Sequence, residues 1–176
     1  MANIKRDLYS NLKFFEAMTP QDVAAGAATN GLAIDTRGYN GCVFVITMGA
    51  MTGGGALSAD NRWQLKLEHA LADTYTTVAS ASAGTWSECY PSQMIHSVIG
   101  MAGAYSTLNS GIFQSIGSTT DISAGTGKVF FVGYKGPRRF VRFALSEAGA
   151  PSTISAAAVC ILGSPDDWPV NAPVGD

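Results

Sequence analysis

The chain has 176 residues, of which 47% are apolar and only 14% charged, with a formal net charge of −2. That length makes one domain with a sizeable core, and a charged fraction well under the roughly 25% usual for soluble domains calls for an unusually large buried fraction or for partners that cover the surface. A slightly acidic chain offers no global field for nucleic acid.

Residues 1–20 mix basic and apolar side chains and read as an arm, or a short helix ending before Pro20, that docks on something else. Lys5 and Arg6 with Phe14 and Phe15 are its candidate docking residues. The same stretch has no apolar run long enough for a signal peptide, and nowhere does the chain carry the ~18 uninterrupted apolar residues of a membrane span. The expectation is therefore a chain used without export and with no membrane partner.

From there the dominant period is two. "CVFVITM" (Cys42 to Met48) is apolar on both faces, as in a strand at the middle of a sandwich or beneath a neighbouring subunit. In "WQLKLEHA", Trp63, Leu65 and Leu67 alternate with Gln64, Lys66 and Glu68, which predicts one buried and one wet face. His69 continues the buried side and reads as a half-buried strand residue. Clusters of Gly, Ser, Asn and Pro at 36–41, 52–61, 80–84, 123–127 and 147–152 separate the strand-like runs, and little looks helical.

Cys89 to Thr120 contains no Asp, Glu, Lys or Arg. It is too rich in Gly and Ser for a membrane helix and too apolar for a solvated linker. It reads as an excursion buried against its own domain or against copies of itself, and Tyr90, Met94, Ile95, Ile99, Tyr105 and Phe113 are the candidate self-association residues. His96 lies within it and is placed to hydrogen-bond at such a contact.

"KVFFVGY" and "RRFVRFAL" then form a predicted hairpin around "KGPR", where Pro137 supplies the turn. Val141, Phe143 and Leu145 share one face; Phe140, Arg142 and Ala144 share the other. Lys135, Arg138, Arg139 and Arg142 make a basic tip. A single-strand nucleic-acid platform needs exposed aromatics along a continuous positive groove, and no second basic patch extends this one. The tip fits carboxylates on a partner protein better, so no nucleic-acid partner is expected. "ISAAAVCIL" (Ile154 to Leu162) is the last strand, and the segment after it carries Asp166, Asp167 and Asp176.

No catalytic signature is present. "SAGTGK" lacks the Gly and the Ser/Thr that a phosphate loop needs at Ile122 and Val129. "DNRW" and "SPDDWP" do not space oxygen ligands as a calcium loop does, and no Cys/His metal spacing or nucleophile elbow occurs. Cys42, Cys89 and Cys160 read as three buried reduced thiols, with an intersubunit disulfide as the rival. The expectation is a non-enzyme with no cofactor and no metal.

The strand ending "VGYKGPRRFVRF" resembles a hairpin recurring in small virion proteins of tailed bacteriophages. "GLAIDTRGYNGCVFVITMGAM", "LKLEHALADTYTTVA" and "AAAVCILGSPDDWPVNAP" are similar to the opening, middle and closing strands of that group. The similarity spans residues 30–80 and 128–173 as soft motifs. It implies a capsid decoration, or cement, protein: a β-sandwich on the outer surface of the virion head, synthesised in the host cytoplasm. The implied partners are the major capsid protein and further copies of itself, often as a homotrimer.

The expected architecture is all-β, an antiparallel, jelly-roll-like sandwich over 21–176 with an 89–120 insertion, preceded by the 1–20 arm. Two rival functions follow from the same fold. One is a head–tail connector or tail component; the other is a carbohydrate-binding module using Trp63, Trp86 or Trp168.

Overall fold

The computed structural model describes residues 11–26, 29–52, 58, 60–71, 75–95, 111–116 and 128–165. They form two packed antiparallel sheets, as the period-two pattern predicts. The front sheet has the order β1-β11-β4-β9-β7, built from Leu12–Val23, Thr153–Pro165, Tyr39–Thr52, Lys128–Tyr134 and Met94–Ile95. The back sheet runs β2-β10-β5-β6, with β3 also on β10 and β8 also on β5. Its strands are Thr29–Asn30 (β2), Ile34–Asp35 (β3), Arg62–Ala70 (β5), Trp86–Glu88 (β6), Ile112–Ile116 (β8) and Phe140–Ala148 (β10).

The core lies between the sheets and is made by alternate residues of each strand. β5 sends in Trp63, Leu65 and Leu67, and β10 sends in Val141, Phe143 and Leu145, all at most 1% exposed. Phe44, Ile46 and Met48 of β4 and Cys160 and Leu162 of β11 meet them from the front sheet. Each large apolar side chain so buried stabilises the fold by about 1.5–3 kcal/mol relative to exposure. Trp63 also satisfies its one polar atom, because Nε1 donates to the Ser152 carbonyl at 2.8 Å.

The segment expected to be an arm through Pro20 belongs, from Leu12 on, to the front sheet. β1 pairs with β11 from Leu12 opposite Gly163 to Val23 opposite Ile154. The ladder shifts register between Glu16 and Met18 and again between Met18 and Gln21. Pro20 falls in the second shift, on an edge strand, where its missing N–H interrupts no ladder bond. Mixed polarity here marks an edge strand rather than the arm or short docking helix that the same pattern suggests. Residues 1–10, with Lys5 and Arg6, lie outside the described residues.

The 89–120 segment is likewise woven into both sheets where it is described. Met94 and Ile95 pair with Tyr134 and Gly133 of β9, and Ile112–Ile116 pairs with β5. Gly111 opens that second strand at φ +67°, with its carbonyl accepting from Leu67 N–H at 2.9 Å.

The Ser/Ala/Gly cluster at 80–84, read as a turn, is largely a short helix, α1 (Val78–Ser82), capped by reciprocal bonds between Thr77 and Ser80. Ala81 packs with Ala33, Ala70 and Phe140 on the outer side of the back sheet. Phe140, on the face opposite Val141, Phe143 and Leu145, is therefore 1% exposed.

Candidate functional site

The two outer faces of the sandwich differ in kind. On the back sheet the charged outward residues of β5, β10 and β6, Lys66, Glu68, Arg142 and Glu88, are mutually paired. Register sets Arg142 beside Glu68 and Glu68 beside Glu88. Arg142 holds Glu68 at 2.7 Å, Lys66 holds Glu88 at 3.3 Å, and the Arg142 guanidinium lies 4.3 Å from the Trp86 ring centroid. Alternating signs thus offset the like charges that the register brings together.

The basic tip is spent in the same way. Arg139 makes a two-pronged pair with Asp35, at 2.8 and 2.6 Å, and donates to the Thr76 carbonyl at 3.0 Å. Arg138 gives its backbone N–H to the Tyr134 hydroxyl. Arg139 and Arg142 are therefore paired within the chain, with Asp35 and Glu68. Asp35 and Glu68 stand 104 and 74 positions away from their partners, so no local motif announces them. Lys135 remains exposed at the turn.

Burial alone would raise the Asp35 carboxyl, but the Arg139 hydrogen bonds, the Arg37 N–H and the two guanidinium charges outweigh it and hold the group below its ordinary 3.8. A depressed folded-state pKa contributes stability that is complete above the unfolded value of ~3.9 and is lost as pH falls through the folded value. We expect the urea midpoint to drop on acidification below about pH 4, and Asp35→Asn to flatten that drop. A mutant profile parallel to the wild type would remove Asp35 from the account.

The front sheet's outer face is the opposite. One cross-strand row reads Phe14, Ile161, Val43, Gly133, Ile95 across all five strands. The next reads Glu16, Val159, Val45, Phe131, and the next Ala157, Thr47, Val129. Phe14, Phe131 and Ile95 are 57%, 54% and 61% exposed, and Val43, Val129 and Val159 are also exposed. Glu16 is the only charged residue in these three rows. At the far end Gly49, Thr47, Ser155 and Ala157 floor a shallow depression bordered by Pro20, Gln21 and Asp22, where Ser155 donates a hydrogen bond to Asp22.

"CVFVITM" did announce this face, since a strand apolar on both sides needs cover on both. Phe14 and Ile95 join it from opposite edges. Phe15 faces the other way and packs against the core. Of the expected self-association residues, Tyr90 is exposed, whereas Met94 and Phe113 are core, since strand alternation turns them inward. Ile99, Tyr105 and His96 lie outside the described residues.

The other chemistry-bearing groups are packed away. Tyr134 Oη lies 3.3 Å from His69 Nδ1 in the core, and burial raises the Tyr134 pKa. Cys42 and Cys160 place their sulfurs 3.5 Å apart; their mutual hydrogen bond, then burial, raises the Cys160 thiol. Cys89 is pushed up to about 12 by burial, with the Glu68 charge and Cys42 adding to it. All three are free and buried, so in the folded chain none is presented for an intersubunit disulfide.

Trp63 is fully buried, and Trp86 lies under Arg142 with its Nε1 bonded to the Ala81 carbonyl at 3.0 Å. Neither forms an open sugar platform; Trp168 lies outside the described residues. Among the described residues no group of three His, Cys, Asp or Glu side chains is placed to hold a metal ion, and no helix is long and apolar enough to cross a membrane. No protein-family model matches the chain, and no curated protein matches it.

Proposed function

We propose that the protein is a non-enzymatic structural component of a tailed-phage head, a decoration protein that binds the outer surface of the assembled shell and stabilises it. The observation that carries this reading is the apolar, nearly uncharged outer face of the front sheet, with its carboxylates Glu16 and Asp22 at the β1 edge, a surface suited to cover by another protein. The phage head as its setting rests on the resemblance of the "VGYKGPRRFVRF" hairpin and its companion strands. The strand orders β1-β11-β4-β9 and β2/β3-β10-β5-β6 support the jelly-roll reading, because successive strands repeatedly change sheets.

A protein that binds only the assembled lattice adds its binding free energy to whatever must be undone before the shell expands or ruptures. Many modest contacts suffice when they act together. With Arg139 and Arg142 committed internally, the contact with the major capsid protein falls to the segment carrying Lys5 and Arg6, which precedes β1, and to Lys135.

The test is co-sedimentation with empty heads that lack the protein. Full-length chain is expected to bind saturably, and deletion of residues 1–10, which leaves β1 intact, is expected to weaken binding at least tenfold without changing the unfolding midpoint. Absence of binding by the full chain would overturn the head assignment. Copy number separates the rival role: about six or twelve per particle indicates a connector ring, whereas copies in the hundreds indicate decoration.

A further inference from the structure

We infer that the outer face of the front sheet is the contact between two copies of this chain, packed sheet against sheet so that two sandwiches form one four-layer unit. The inference goes beyond the decoration reading and stands whether or not a phage shell is the final partner.

Area is the first argument. At ~200 Å² for a fully exposed aromatic side chain and less for valine, the six exposed residues of this face, each about half exposed, present on the order of 500 Å². With Val45, Ile161 and Ala157, which are partly exposed, the face reaches the top of the ~300–600 Å² range for the largest patch on a monomer and supplies most of the ~800 Å² per partner of a standard stable interface.

Charge is the second. A face that meets a copy of itself must not repel itself, because in a two-fold contact each patch sees its own kind. The three central rows carry one carboxylate, Glu16, at the β1 edge and no cation. The back sheet, by contrast, covers its outer side with the alternating Arg142, Glu68, Lys66 and Glu88. A partner recognised by charge would find only the β1-edge carboxylates, Glu16 and the hydrogen-bonded Asp22, to read on the described front face; a second copy can keep both at the rim of the contact.

Relief is the third. Phe131 stands proud on β9, while the small residues Gly49 on the adjacent strand β4 and Ser155 and Ala157 on β11 beyond it leave a hollow on the same face. Aligned packing of two twisted sheets, with strands within about 30°, offers one copy's ridge to the other's hollow. Such a contact closes at two copies, which departs from the homotrimer that the resemblance implies and from self-association through residues 89–120.

Sedimentation velocity on the purified full-length chain, over a wide range of concentration, tests this without any shell present. The wild type is expected to be a dimer that dissociates on dilution. Phe131→Lys should weaken the dimer by about thirtyfold or more, the effect of a central anchor, while leaving the unfolding midpoint of the dilute protein unchanged. Leu71→Lys, which charges an exposed apolar residue of the back sheet's β5–β6 region, should leave the dimer intact.

A wild type that stays monomeric at high concentration overturns the inference, as does a dimer or trimer indifferent to Phe131→Lys. A monomer that Phe131→Lys destabilises would show instead that part of the same chain covers the face. Binding to empty heads is read separately by co-sedimentation, so failure of the dimer and failure of the head assignment are distinguishable.

Discussion

Replacing Arg142 by methionine is expected to destabilise the domain by about 3 kcal/mol, the range for breaking one side of a buried ion pair. The side chains of Arg142 and Glu68 are only 14% and 17% exposed. Without the guanidinium, Glu68 would stay half-buried and directly opposite Glu88, leaving Lys66 to serve two carboxylates. Trp86 would lose the cation over its ring. Methionine keeps most of the aliphatic packing, so the loss reports on charge and stacking.

Adding Glu68→Gln to Arg142→Met should recover about half of the loss, since it removes the stranded charge and the like-charge pair. Urea unfolding of the two single variants and the double variant measures this. A single-mutant loss below about 0.5 kcal/mol would mark the pair as an ordinary surface ion pair, and Arg142 would again be free to serve a partner.

The other large effect is expected at Gly31. Its N–H donates to the Phe143 carbonyl at 2.8 Å, and the next N–H, of Leu32, donates to the Ala17 carbonyl at 2.8 Å. These two bonds tie the back sheet's β10 to the bulged stretch of the front sheet's edge strand, so residues 31–32 clamp the sandwich at one side. A Cβ on Gly31 would overlap the Ala17 carbonyl oxygen and sit 2.8 Å from that of Phe143.

Both obstacles are backbone atoms, which move only with their strands. Gly31→Ala should therefore cost about 3–4 kcal/mol, from overpacking together with at least one lost hydrogen bond. For a chain of this size that lowers the melting temperature by about 10 °C. Gly38→Ala is the control: its Cβ would meet nothing within 4 Å, leaving only the strain of φ +84°, and it should cost about 1 kcal/mol. Equal effects at the two positions would mean that the clamp contributes nothing.

Much of the sandwich was legible because β5 alternates apolar with polar residues and β10 and β11 are apolar-rich runs bounded by turn signals. Trp63, Leu65 and Leu67 could be assigned to the interior from spacing alone. β1 was not legible, since an edge strand with two register shifts and a proline keeps no period and can carry Thr19, Gln21 and Asp22 in exposed positions. α1 was missed because five residues are too few to display a helical repeat.

The site was half legible. The double-sided apolarity of Cys42 to Met48 pointed to a covered outer face. That Phe14, Val159, Phe131 and Ile95 would line up beside it depends on strand order, which no local pattern encodes. The acidic partners of the basic hairpin were illegible for the same reason: Asp35 comes from β3 and Glu68 from β5. A cluster of charge in sequence is evidence of a docking point only when the register leaves its members unpaired.

The account depends on the front face being wet in dilute protein and dry when molecules meet. Val129→Cys places a thiol on that face at a half-exposed position, beside three native thiols that burial keeps unreactive. The rate of its reaction with a maleimide, compared between dilute and concentrated protein, is the most direct test. The account predicts fast modification when dilute and at least tenfold slower modification when concentrated; the same rate at both would contradict it.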